Sequence, residues 1–252
     1  MNMETASVIQ AILGALVVFM ATSLGALFIL PVKREDKKMN IILMALAAGV
    51  MSSVIFEMID MINKNNEKTT LLAAFFIGVL LIAIADRLIP HLHSIMKKEK
   101  LDKTTKKTAL IVGTVALHNF PEGLAVASAF AHSVSFGWLI TLSIAIQDIP
   151  EGIMVSAPLF FYGLKRRVAI PLGFLSGFLE GLAAVIGYFF LSQFDFLVPF
   201  AIAFSAGAMS YLVLGEVFPD MFAERKYRLE TISSFFIGIA LPFLIGFLLS
   251  LI

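Results

Sequence analysis

The sequence predicts an all-α integral membrane protein of eight transmembrane helices with both termini outside. Three observations carry that prediction. Of the 252 residues, 59% are hydrophobic and only 15% charged, with 24 phenylalanines; a soluble domain is nearer a quarter charged. The apolar residues run in continuous blocks close to the ~20 residues that a bilayer demands, without the alternation of a barrel strand. Lysine and arginine concentrate in alternate loops, the positive-inside pattern. The net charge of +1 is uninformative, and no basic stripe suited to nucleic acid is present. The absence of cysteine excludes disulfides and thiolate metal ligands. The N-terminus MNMETAS has no basic n-region, so no cleavable signal peptide is expected.

Taken in order, span 1 covers residues 7–31 and ends at a loop holding Lys33, Arg34, Lys37 and Lys38. Span 2, 40–62, contains Glu57, Asp60 and Met51, the last in AAGVMSS, where a thioether is read as core because most membrane methionines only pack. The next loop has only Lys64 and Lys68. Span 3, 70–92, carries Asp86 and Arg87 and leads into DRLIPHLH. Asp86, His91 and His93 form either an inner-side metal relay or the interfacial flank of a loop, and both readings stay open. The stretch HSIMKKEKLDKTTKK, with Lys97, Lys98, Lys100, Lys103, Lys106 and Lys107, reads as a solvated cytoplasmic linker. Span 4, 108–131, contains HNFPEG, and span 5, 136–161, contains QDIPEG; between them lies the short turn AHSVSFG with His132. After Lys165, Arg166 and Arg167, span 6, 168–191, carries GFLSGFLEG. Span 7, 197–220, ends in LGEVFPD with Glu216 and Asp220 near its inner end, where they are open to the same two readings. Arg225, Lys226 and Arg228 precede the apolar span 8, 231–251. Sixteen basic residues therefore stand in one set of loops against two in the other, which places both termini outside. Because the loops are short, residues 1–252 form a single transmembrane domain.

The spans contain groups that lipid disfavours. Glu122, Asp148, Glu151 and Glu180 sit near mid-span. A charge at the bilayer centre costs roughly 2.5–3.5 kcal/mol on the lenient scale, so four unpaired ones cost on the order of 10 kcal/mol. No mid-span lysine or arginine is available to neutralise them, which leaves protons or a bound cation. Residues four apart share a helix face. His118 and Glu122 are so spaced, as are Gln147 and Glu151, with Asn119 and Asp148 three residues before each glutamate. The short turn makes spans 4 and 5 antiparallel neighbours and brings the two patches to similar depth. Pro121 and Pro150 cannot donate to the carbonyls of Leu117 and Ile146, which frees backbone oxygens beside the carboxylates. Gly123 and Gly152 follow and permit close backbone approach. Carboxylate, amide oxygen and one imidazole suit a divalent transition metal. HNFPEGLAVASA and QDIPEGIMVSAP also align as a local repeat of opposite membrane direction, a feature of transporters with midplane sites. Glycines 173, 177 and 181 are spaced for helix packing, and Glu180 among them reads as functional.

HNFPEG and QDIPEG within eight short-looped spans resemble the ZIP (Zrt-/Irt-like) divalent metal transporters, and the compact loops resemble the prokaryotic GufA-like branch. The resemblance implies a 3+2+3 inverted-repeat arrangement and a binuclear midplane site. His118, Glu122, Gln147 and Glu151 would hold one cation; Asn119, Asp148 and Glu180 would hold the second, with Glu122 and Glu151 bridging. It raises Met51 to a ligand of the first position and suggests an inner release path through Asp86, His91, His93 and Glu216. It further implies a homodimer in the cell (plasma or inner) membrane, and an elevator motion of spans 1, 4, 5 and 6 against spans 2, 3, 7 and 8. Many members have histidine where this chain has Gln147, which bears on the choice of metal.

The expected function is transport of divalent cations into the cytoplasm: zinc, with cadmium, iron and manganese as relatives. The metal is cargo rather than a cofactor, and the partners are the lipid bilayer and a second copy of the chain. The alternative is a proton or cation channel using the same carboxylates. An enzyme is not expected: no HExxH motif for an intramembrane metalloprotease is present, nor a mid-span lysine for a retinal Schiff base.

Overall fold

Without water in the bilayer core, backbone amides and carbonyls must pair within the chain, and continuous apolar runs do so by coiling into helices. The computed structural model describes residues 3–31, 37–63, 68–98, 103–161, 164–222 and 225–251; the side chains of residues 3–6, 89–98, 103–112, 114–116, 158 and 216 lie outside the described set. The long helices are α1 (Met3–Leu27), α2 (Lys37–Asn63), α3 (Lys68–Lys98), α4 (Lys103–His132), α5 (Val134–Phe161) and α6 (Arg166–Leu191). They are followed by α7 (Val198–Leu212), the short α8 (Phe218–Met221) and α9 (Arg228–Leu249). One π-helical segment, Val213–Val217, joins α7 to α8, so the three form a single span. Seven stretches among the described residues are long and apolar enough to cross a membrane. The remaining long helix, α4, has most of its N-terminal side chains outside the described set.

Two expectations need correction. The lysine-rich linker is mostly helix: α3 continues to Lys98 and α4 begins at Lys103. Lysine and methionine are good helix formers, so the charges end the part of the helix that sits in lipid without ending the helix. Span 1 was expected to reach residue 31, but α1 stops at Leu27. Pro31 disfavours helical backbone just before it, and the chain leaves through turns closed by Phe28 N–H to Gly25 O and Leu30 N–H to Leu27 O, both 3.0 Å.

The helices pack as two groups. In one, α1 lies on α5 and α6, and α4 lies on α5 and α6; in the other, α2 lies on α9 and α7, and α3 on α7. The groups meet along α2–α5, α4–α7, α5–α9 and α3–α4. Within the groups the backbones touch. A β-carbon on Gly25 would strike the carbonyl of Ile149, and one on Gly152 the carbonyl of Thr22, so α1 and α5 are locked by reciprocal glycines. Gly49 and Gly238 do the same for α2 and α9, and Gly78 and Gly207 for α3 and α7. Small residues at crossings are how membrane helices gain contact where lipid offers no hydrophobic drive. Between the groups the packing is by side chains: Val54 and Met58 of α2, Ile140 and Ile144 of α5, and Ile202 and Met209 of α7 share one buried cluster. Large apolar side chains such as Phe76, Phe236 and Phe247 face outward, as a lipid-solvated surface requires.

Candidate metal centre

HNFPEG lies in the second half of α4 and QDIPEG in the second half of α5, and the two helices pack side by side. Helix α4 runs through Pro121. The patches expected to face each other do so. One carboxylate oxygen each from Glu122, Asp148 and Glu151 lies within 4.8 Å of the others. Zinc–oxygen bonds of about 2.0–2.2 Å put opposed ligand atoms no more than about 4.4 Å apart. Sub-ångström side-chain movement therefore closes this trio on one cation.

The cluster is buried and short of donors among the described residues. Asn119, Glu122, Gln147, Asp148 and Glu180 are all buried, while His118 and Glu151 are half-buried. Both carboxylate oxygens of Asp148, Oε2 of Glu122 and Oε1 of Glu180 have no hydrogen-bond partner among the described residues. Such atoms in low dielectric are costly, and a cation is the partner that satisfies several at once. His118 is half-buried and stands one turn before Glu122 on the same face of α4.

The neighbours that are satisfied are informative. Gln147 Nε2 donates to Glu122 Oε1 at 2.6 Å, leaving Gln147 Oε1 buried without a donor. Expected as a ligand, Gln147 here meets the glutamate as a donor. On α6, the backbone at Glu180 packs against α4: Gly123 has no room for a β-carbon against the Glu180 carbonyl. Thr22 of α1 reaches Glu180 Oε2 at 3.5 Å, and Ser176 of α6 donates to Asn119 Oδ1 at 3.0 Å. These two hydroxyls were not singled out in the sequence. The available signal was spacing: Ser176 stands one turn before Glu180 on the same face.

Met51 is buried in the apolar cluster with Val50 and Val54. Asp86 accepts a hydrogen bond from the Tyr211 hydroxyl at 3.0 Å, which ties α3 to α7. The side chains of His91, His93 and Glu216 lie outside the described residues, although Glu216 belongs to the π-helical segment of span 7. His132 ends α4 with its ring 5.7 Å from that of Phe136.

Comparison with known proteins finds similarity to zinc transporters. The family profile described as ZIP Zinc transporter matches residues 97–246, which include both hexapeptides and Glu180. The chain is 32% identical over 252 residues to the zinc transporter ZupT of Chlorobium chlorochromatii, covering 90% of this chain and 93% of the relative. It is 34% identical over 249 residues to ZupT of Streptococcus mutans, covering 90% and 91% respectively. A longer Arabidopsis thaliana protein is 30% identical over 208 residues, of which the match spans only 33% of the relative.

Proposed function

The chain belongs to the ZIP zinc transporter family, and from that premise we propose that it carries zinc across a cell membrane into the cytoplasm through the carboxylate cluster of α4, α5 and α6. The observation that carries this reading is the convergence of Glu122, Asp148 and Glu151 on one point inside an apolar bundle, with both Asp148 oxygens unpartnered. Zinc replaces its water shell with these oxygens and leaves by the opposite side.

The fuller reading has two adjacent cation positions. His118, Glu122, Gln147, Glu151 and Met51 serve the first; Asn119, Asp148 and Glu180 serve the second, with Glu122 and Glu151 bridging. Asp86, His91, His93 and Glu216 form the inner release path. The burial of Asn119 and Glu180 beside the trio supports the second position. The carrier is a homodimer with extracytoplasmic termini. Cadmium, iron and manganese are candidate alternative cargoes.

Movement follows an elevator scheme in which α1, α4, α5 and α6 slide against α2, α3, α7 and α9. Support comes from the two kinds of contact: glycine-mediated backbone locks within each group, and apolar side chains between them. Apolar side chains repack at small cost, whereas interlocked backbones do not. The α5–α9 contact offers a test, because the chain has no cysteine of its own. A β-carbon at Gly246 would lie 3.4 Å from Leu139 Cδ1. Leu139→Cys with Gly246→Cys is expected to stop uptake on oxidation and recover it with a phosphine reductant. Full uptake by the oxidised pair rules out relative sliding at this seam.

The primary test is uptake of zinc by the purified protein in proteoliposomes. Saturable uptake at carrier rates supports the proposal; unsaturated flux at channel rates favours the cation-channel alternative; no flux ends both. Gln147→His, which exchanges an amide for an imidazole beside Glu122, is expected to shift the zinc-to-cadmium uptake ratio. An unchanged ratio would remove Gln147 from the selectivity determinants.

A further inference from the structure

Ser23, Ser53, Thr141, Ser156 and Ser205 carry buried hydroxyls with no hydrogen-bond partner among the described residues, and other helix hydroxyls turn back on their own helix. Ser52, Ser128, Ser143, Ser210 and Thr231 each donate to the carbonyl three or four residues earlier. Ser176 departs from that habit. It is 3% exposed, and it donates across to Asn119 Oδ1, on another helix and 57 residues away in the chain. Thr22, fully buried on α1, lies between the two modes: its hydroxyl is 3.1 Å from its own Val18 carbonyl and 3.5 Å from Glu180 Oε2.

The geometry that permits this is specific to α6. Its Gly173, Gly177 and Gly181 line the side toward α1, where a β-carbon on Gly177 would lie 2.8 Å from Thr22 Cβ and one on Gly181 would lie 3.0 Å from the Ala15 carbonyl. Ser176 and Glu180, one turn apart, line the side toward α4. The glycines bring α1 close enough for a hydroxyl to reach Glu180, and Ser176 meets the amide next to His118.

We infer that Ser176, assisted by Thr22, is a positioning residue for the cation cluster: its hydroxyl fixes the Asn119 carboxamide, while that of Thr22 steadies Glu180. The inference rests on the reading of this cluster as a zinc site. An amide oxygen has two lone pairs. With one taken by Ser176, the other is presented in a single orientation. Asn119 Nδ2 faces the Glu180 carboxylate without a hydrogen bond of good geometry, so the Ser176 hydroxyl supplies the well-formed hydrogen bond on the amide among the described residues. This arrangement brings α1, which contributes no ligand of its own, into the support of the site. Partners of this kind are typically worth 10–100-fold in metal affinity or activity.

The test uses zinc uptake into proteoliposomes, with zinc titration of the protein in detergent for variants too slow to transport. Ser176→Ala is expected to weaken zinc at least about tenfold, read as KM or Kd, with Vmax close to that of the parent. Thr22→Val, which keeps the shape packed against Gly177 and removes only the hydroxyl, is expected to weaken zinc in the same way, and Thr22→Ser to restore it. On an Asn119→Ala background, Ser176→Ala is expected to add nothing. Zinc affinity within twofold of the parent in Ser176→Ala overturns the inference. So does an equal further loss when Asn119 is already alanine, which would mark a purely structural role. If the unmodified protein takes up no zinc and binds none, the transport reading itself fails; if it transports and Ser176→Ala matches it, only this inference does.

Discussion

Replacing Glu122 and Glu151 together by alanine is expected to abolish zinc uptake while leaving a folded protein. The two residues supply two of the three oxygens that converge within 4.8 Å, and each follows a proline in its hexapeptide. The expectation that folding survives has a physical basis. Removing the buried, under-paired Glu122 Oε2 relieves one cost, while the loss of Oε1 leaves the Gln147 amide without its acceptor, so the two effects oppose each other. The metal-free variant should therefore stay folded in detergent, with a melting temperature close to that of the parent. Zinc, which stabilises a protein by binding its folded form, should raise the melting temperature of the parent and not of the variant. Uptake at the parental rate would disprove the assignment of the cluster. Loss of uptake accompanied by a collapsed elution profile would show that the carboxylates serve folding rather than cargo.

Gly152→Ala is expected to have the second large effect. A β-carbon there would meet the Thr22 carbonyl and lie 2.8 Å from the Ala26 amide nitrogen, both backbone atoms of α1. Flexible side chains can step aside from such a contact, but a helix backbone must move whole. Overpacking of a tight core costs typically 1–3 kcal/mol, and here the displaced helix carries Thr22 away from Glu180. The variant should melt lower and lose uptake although no ligand is altered. Gly113→Ala is the control, since no described residue lies within 4 Å of a β-carbon at Gly113. Equal melting temperatures for the two variants would mean that the α1–α5 contact is looser than described.

The fold class was legible because lipid imposes a crude rule: long apolar blocks must be helices. The site was legible for a related reason. Carboxylates in such blocks are rare enough that Glu122, Asp148, Glu151 and Glu180 declared themselves, and the spacing of three and four residues brought Asn119, His118 and Gln147 with them. Less visible were properties that depend on a neighbouring helix. The donor role of Gln147 arises only because Glu122 of α4 comes within 2.6 Å of its amide. Thr22 looks like any small residue of α1 until α6 approaches along its glycines. The end of α1 at Leu27 and the helical extension to Lys98 were obscured because hydropathy reports where lipid stops, not where a helix stops.

The reciprocal glycine contacts also bear on how this protein fails. Two helices joined backbone to backbone behave as one stiff beam, with no layer of side chains to absorb a local error. Damage to α1 is then transmitted undiminished to α5, and from there to QDIPEG. A saturation screen scored by growth on scarce zinc should accordingly outline two patterns at once. One is the compact set of acids at the centre. The other is a line of intolerant positions along the first helix, at Gly25 and its neighbours, where bulk alone disables a carrier whose ligands are intact.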